Sequence, residues 1–149
     1  MKHEFPSEWY GLLHPASTSA QYGQMPIRTV TDRFPFQYRG RKIQVTGISA
    51  FALLRSSATP PDSLSIYLTN TSLPAPPGTP PAPPSNPGTQ ISLKPDTLYG
   101  TKTLHGVMPA PASPVTVPQL WWLSIAQSDL NTVIDSVDDF FILVQYKVT

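Results

Sequence analysis

Three histidines and the one cluster among the nine acidic residues are the side chains whose types and grouping raise acid–base or metal chemistry. His3, His14 and His105 lie too far apart along the chain to form a local metal motif, and His14 stands between Leu13 and Pro15, a structural setting. A catalytic base also needs a carboxylate that orients it within hydrogen-bond reach, which spacing alone does not supply. Asp129, Asp135, Asp138 and Asp139 form the one acidic cluster. A calcium loop draws several carboxylates from a short run, and Asp138-Asp139 before an apolar strand is compatible with that. No Asp-x-Asp-x-Asp-Gly run is present, however. The plainer reading has Ser128 or Asp129 capping a helical turn and residues 136–139 turning into the last strand. Gly-x-Ser-x-Gly, a phosphate-cradling glycine loop and paired carboxylates at a strand end are all absent. The expectation is a non-enzyme with no metal and no cofactor.

Residues suited to binding are more prominent. Arg39, Arg41 and Lys42 follow Phe34, Phe36 and Tyr38, an interleaving that can stack and neutralise single-stranded nucleic acid. Alternation sets the three aromatics on one side, where a loop would cover them. The net charge of +1 is also too small for bulk attraction to nucleic acid or an anionic membrane. No nucleic-acid partner is therefore expected. Trp121-Trp122 carries more information: neighbours in a strand face opposite ways, so one ring enters the core and the other points outward. An outward tryptophan can lie under the N-terminal arm, anchor another chain or stack on a sugar. Trp9, Tyr10 and Trp122 are the expected contact anchors, with Arg39 and Arg41 at the rim.

These residues must be held by a small β-rich body. The chain has 149 residues, the size of one domain spanning 1–149. Apolar residues are 40%, enough for a core, while 13% charged is about half the usual share. Nineteen prolines exclude a mainly helical bundle. With no cysteine there is neither a disulfide framework nor a thiolate metal site. No run is long and apolar enough for a membrane span, and residues 1–10 lack the apolar centre of a signal peptide.

Residues 1–33 read as an aromatic N-terminal arm, with one helical turn over 7–13 capped by Ser7 and a short strand at 27–30. The run 42–54 alternates and changes phase at Gly47, which is what a β-bulge produces. Leu64, Ile66 and Leu68 alternate with polar neighbours, and 55–62 forms the turn between these two strands. Residues 73–88 are a Pro-rich mobile loop, with eight prolines between Pro74 and Pro87 and no charge. Short strands follow at 90–93 and 101–107, then a Pro/Ala link at 108–114. Strong strands at 117–125 and 139–148 flank a helical crossover. In the last strand Phe140, Ile142, Val144, Tyr146 and Val148 share the core face, and Phe141, Leu143, Gln145 and Lys147 the other. The pattern predicts an all-β chain, a two-layer antiparallel β-sandwich with a long Pro-rich loop.

Four phrases in this order resemble one known family: Phe5-Pro6-Ser7-Glu8-Trp9-Tyr10 with Leu13-His14-Pro15; Arg33-Phe34-Pro35-Phe36 with Arg39-Gly40-Arg41; Trp122-Leu123-Ser124-Ile125; and 137–146. The order is similar to the C-terminal β-sandwich of Tc (ABC) insecticidal toxin A-component-like proteins, over most of the chain except the proline insert. These are core and turn patterns and carry no catalytic residue. The resemblance implies a non-catalytic assembly or docking module of a larger extracellular particle, exported without a cleavable signal peptide, or otherwise cytoplasmic. Its partners would be other protein subunits, in a homo-oligomer or toxin complex. Two further expectations stand beside it. One is a lectin-like sandwich stacking a glycan, with Asp138 and Asp139 holding calcium. The other is a virion or tail structural protein.

Overall fold

A computed structural model of the chain describes residues 1–15, 22–29, 34–38, 40–71, 90–108, 115–116 and 119–149. Arg39, the segment 73–88 and most of the 108–114 link lie outside the described residues. Among the described residues two α-helices, α1 (Pro6–Leu13) and α2 (Gln127–Ser136), and a single 3-10 turn at Phe36–Tyr38 accompany eight strands. These are β1 (Tyr22–Thr29), β2 (Ile43–Leu54), β3 (Leu64–Thr71), β4 (Gln90–Pro95), β5 (Thr103–Val107), β6 (Val115–Thr116), β7 (Gln119–Ala126) and β8 (Val137–Val148).

The all-β antiparallel class is as the sequence reads. Pairing runs along one curled path, β1-β7-β3-β4-β5-β2, which β8 extends beyond β2, while β6 pairs with the start of β2. Strand β4 makes the path continuous: Gln90, Ile91, Ser92 and Leu93 pair with β3, and Lys94 and Pro95 pair with β5. The segment 55–62 therefore does not close a hairpin, since β2 and β3 are not partners. The bulge at Gly47 is present: Val45 faces Tyr146 and Gly47 faces Gln145, leaving Thr46 without an opposite number.

The bulge sets the core phase. Ile43 and Val45 before it, and Ile48, Ala50, Ala52 and Leu54 after it, all point inward and are buried. All of these but Ile43 join one core cluster with Leu64, Ile66 and Leu68 of β3, Ile91 and Leu93 of β4, and Trp121, Leu123 and Ile125 of β7. Phe140 is fully buried at the head of β8.

Within residues 1–33 the described stretches include α1 and β1. Strand β1 begins at Tyr22, inside a stretch that reads as polar, because pairing with β7 supplies what its composition lacks. Helix α1 starts with Pro6 in its first turn, where the missing N–H costs nothing. Phe5 is the N-cap, so Ser7 lies inside the helix and caps nothing. Leu12 packs so closely on β1 that a Cβ on Gly23 would strike its carbonyl oxygen.

Helix α2 also departs from expectation. It begins directly out of β7 with Ala126 as N-cap and no side-chain cap. Ser128 and Asp129 sit in the first turn, where the Asp129 charge suits the helix dipole. No turn separates α2 from β8: Val137 donates its N–H to the Val133 carbonyl and is already the first strand residue. Among the described residues no helix is long and apolar enough to cross a membrane.

Candidate functional site

The expected anchors occupy separate places. Trp9 is 8% exposed, with its ring centroid 5.7 Å from that of Phe140. It belongs to this chain's own core, so the expectation of a surface anchor is corrected. Tyr10, one residue further round the same helix, is 65% exposed and rests against the His14 ring. Arg41 is exposed in the turn before β2, where its N–H donates to the Tyr38 carbonyl. Trp121 and Trp122 divide as alternation requires: Trp121 is buried, and Trp122 is half-buried on the outer face of β7 between Pro26 and Thr69. The buried Thr69 hydroxyl has no hydrogen-bond partner among the described residues.

Asp138 and Asp139 are already engaged. Asp138 accepts from the Lys2 ammonium at 2.8 Å, and that hydrogen bond and charge hold its carboxyl below the usual range. The Asp139 Oδ1 accepts from the Met1 ammonium and the Lys2 N–H, each at 2.8 Å, and from the Phe140 N–H at 2.7 Å. Burial works to raise its pKa, but the Lys2 N–H and the ammonium outweigh it and the net shift is downward. Among the described residues no group of three or more acidic or histidine side chains is placed to hold a metal ion.

His105 has the carboxylate that sequence could not supply: its Nδ1 lies 3.2 Å from Asp96 Oδ2. The ring stacks on Phe51 at 4.6 Å, and Tyr99 meets both edge-on at 5.0 Å. The other Asp96 oxygen accepts the Leu98 N–H. Among the described residues no third polar side chain hydrogen-bonds to His105, and the pair orients a ring within an aromatic cluster.

This cluster belongs to an exposed apolar face that the sequence reading did not single out. Cross-strand register places Phe141, Phe51 and His105 on one rung across β8, β2 and β5. Leu143, Ser49 and Val107 form the next rung. Phe141, Leu143 and Val107 are 51%, 56% and 60% exposed, and Tyr99 and Leu98 are exposed at its border. Continued into β4, the first rung ends at the exposed Lys94, the register partner of His105. The only signal in sequence was Phe141 and Leu143 standing on the solvent parity of β8.

In comparisons with known proteins, no family model, no curated protein and no solved structure matches the chain.

Proposed function

We propose that this chain is a non-catalytic assembly module that associates with further protein subunits, copies of itself included. The observation that carries the reading is the outward face of β8, β2 and β5. Single exposed apolar side chains are ordinary, but Phe141, Leu143 and Val107 stand on two adjacent rungs around Phe51. Contiguous apolar surface of this kind on a folded domain marks an interaction site. Aromatic side chains at its centre match the composition of interface cores. The resemblance to the terminal sandwich of Tc toxin A-component-like proteins supports the same class, a docking module in a larger extracellular particle.

The test is molar mass by light scattering behind size exclusion, over a tenfold concentration range, with and without calcium. The expected result is a defined species heavier than the 16.3 kDa chain, indifferent to calcium, that returns to monomer in Val107→Lys. A clean monomer across the whole range overturns self-association and leaves a different partner chain as the only form of this reading, and calcium-dependent glycan binding by that monomer would establish the sugar-binding one.

A further inference from the structure

The two ends of the sheet carry opposite charge. At one end Leu54 pairs with Val137 and Gly23 with Ile125, and both helices sit there, since Leu12 of α1 and Leu130 of α2 abut Gly23. Every aspartate and glutamate among the described residues belongs to that end: before or on α1, on α2, at the start of β8, just before β3, or in the turn after β4. At the other end Ile43 pairs with Val148 and Thr29 with Gln119. Here Arg41, Lys42 and Lys147 are exposed, and no described aspartate or glutamate pairs with any of them. Lys42 exchanges backbone bonds with Thr149 and Lys147 lies opposite Gln44, so the two lysines are diagonal neighbours on one face. The net charge of +1 conceals this separation.

An apolar tip stands at the same basic end. The 3-10 turn at Phe36–Tyr38 is closed by the Tyr38 N–H, which donates to the Pro35 carbonyl at 2.9 Å, and the Arg41 N–H donates to the Tyr38 carbonyl at 3.0 Å. Gly40, at φ 81°, lets the chain reverse there. Phe34 and Tyr38 fasten the turn to β8, their ring centroids 4.8 and 6.1 Å from that of Tyr146. Phe36, between them in sequence, is turned outward and 78% exposed, next to an exposed Pro35. Among the described residues it is the only exposed large apolar side chain at this end.

We propose that this end docks on an anionic membrane surface, with Phe36 entering the boundary between headgroups and acyl chains and Arg41, Lys42 and Lys147 meeting the anionic headgroups. A protein partner of standard size covers about 800 Å² on each side, around a cluster of anchors. One aromatic ring on an exposed turn supplies no such cluster, whereas a fluid interface closes round a single ring without a matching pocket. The charge is complementary, and each Lys or Arg next to an anionic leaflet strengthens binding about fivefold. Strand β2 has twelve residues and so spans roughly 40 Å, which holds the acidic end several screening lengths of ~8 Å away from the surface. The docking end is separate from the apolar face of β8, β2 and β5, and the proposal does not rest on the assembly reading.

The experiment is co-sedimentation of the full chain with vesicles of phosphatidylcholine alone and of phosphatidylcholine mixed with phosphatidylserine. The chain should sediment with the mixed vesicles at low salt and stay in solution with phosphatidylcholine alone. Salt at about 0.5 M, which shortens the screening length to ~4 Å, should release it. Arg41→Gln combined with Lys42→Gln should weaken binding about 25-fold. Phe36→Ser should weaken it about tenfold. All three side chains are exposed, so both variants should keep wild-type circular dichroism. Failure to bind the mixed vesicles at low salt overturns the proposal. Binding that the charge variant leaves unchanged places the contact elsewhere on the molecule and overturns it too. Loss in the charge variant with none in Phe36→Ser shows adhesion to a polyanion without insertion, which also overturns membrane docking.

Discussion

The Met1 ammonium and the Asp139 carboxylate, 138 positions apart in sequence, lie 2.8 Å from each other in a largely buried ion pair. The same oxygen accepts two backbone N–H groups, so one carboxylate ties the start of the chain to the head of β8. Phe140 follows directly and packs on Trp9. The ion pair and the aromatic contact thereby fix α1 against the strand that ends the path.

Asp139 should make stability depend on pH. Its folded-state pKa is lowered from 3.8, so it contributes stability above its unfolded pKa that is lost as pH falls through the folded value. Asp139→Asn leaves the Met1 ammonium buried without its counter-charge and should cost about 3 kcal/mol near neutral pH. Thermal unfolding between about pH 7 and pH 2 should show wild type losing that advantage on acidification, with the two curves converging. Parallel curves would show that the carboxylate charge is not what holds β8.

The two adjacent tryptophans should differ in cost. Trp121 is 4% exposed and lines the core, so Trp121→Ala should destabilise by about 3–5 kcal/mol. Trp122 lies half-buried on the outer face, and Trp122→Ala should cost less than half of that while leaving the fold intact. Urea unfolding of both variants measures the ratio. Equal costs would mean that the outer face of β7 is packed as tightly as the inner one.

Gly106 marks a close approach of β5 to β4. A Cβ there would lie 2.6 Å from the Ser92 carbonyl oxygen and 2.7 Å from Ile91 Cγ2, and the first of these is backbone that cannot swing aside. Gly106→Ala should destabilise by about 1–3 kcal/mol through overpacking. Gly11→Ala, with nothing within 4 Å and a helical position, should be neutral or mildly stabilising. Thermal melts of the two variants, run side by side, check the contrast.

Local pattern was legible wherever one strand face is buried. The phase change at Gly47, the split of Trp121 from Trp122 and the inward set on β8 all follow from period-two alternation, and each is present. Helix starts were not legible, because Pro6 and the β7–α2 junction provide them without a capping side chain. Trp9 was misplaced for another reason: an aromatic near a terminus has the same sequence signature whether it fills its own core or a neighbour's. The apolar face was missed because Phe51, His105, Val107 and Phe141 come from three strands. Only register makes them neighbours, and register between strands this distant in sequence is not written in any one of them.

The longest pairing among the described residues, β2 with β8, also governs how the chain reaches its native state. Leu54 pairs with Val137, so the ladder can close only after the 82 residues from 55 to 136 have been drawn into a loop. The chain entropy surrendered in that closure precedes any gain from the ladder. Domains dominated by such distant contacts fold on the scale of milliseconds to seconds, far slower than helical bundles of the same size. Until β8 arrives, β2 has one side uncovered and Phe140 is missing from beside Trp9. Refolding should therefore be a single late event in which the two ends of the chain become ordered together.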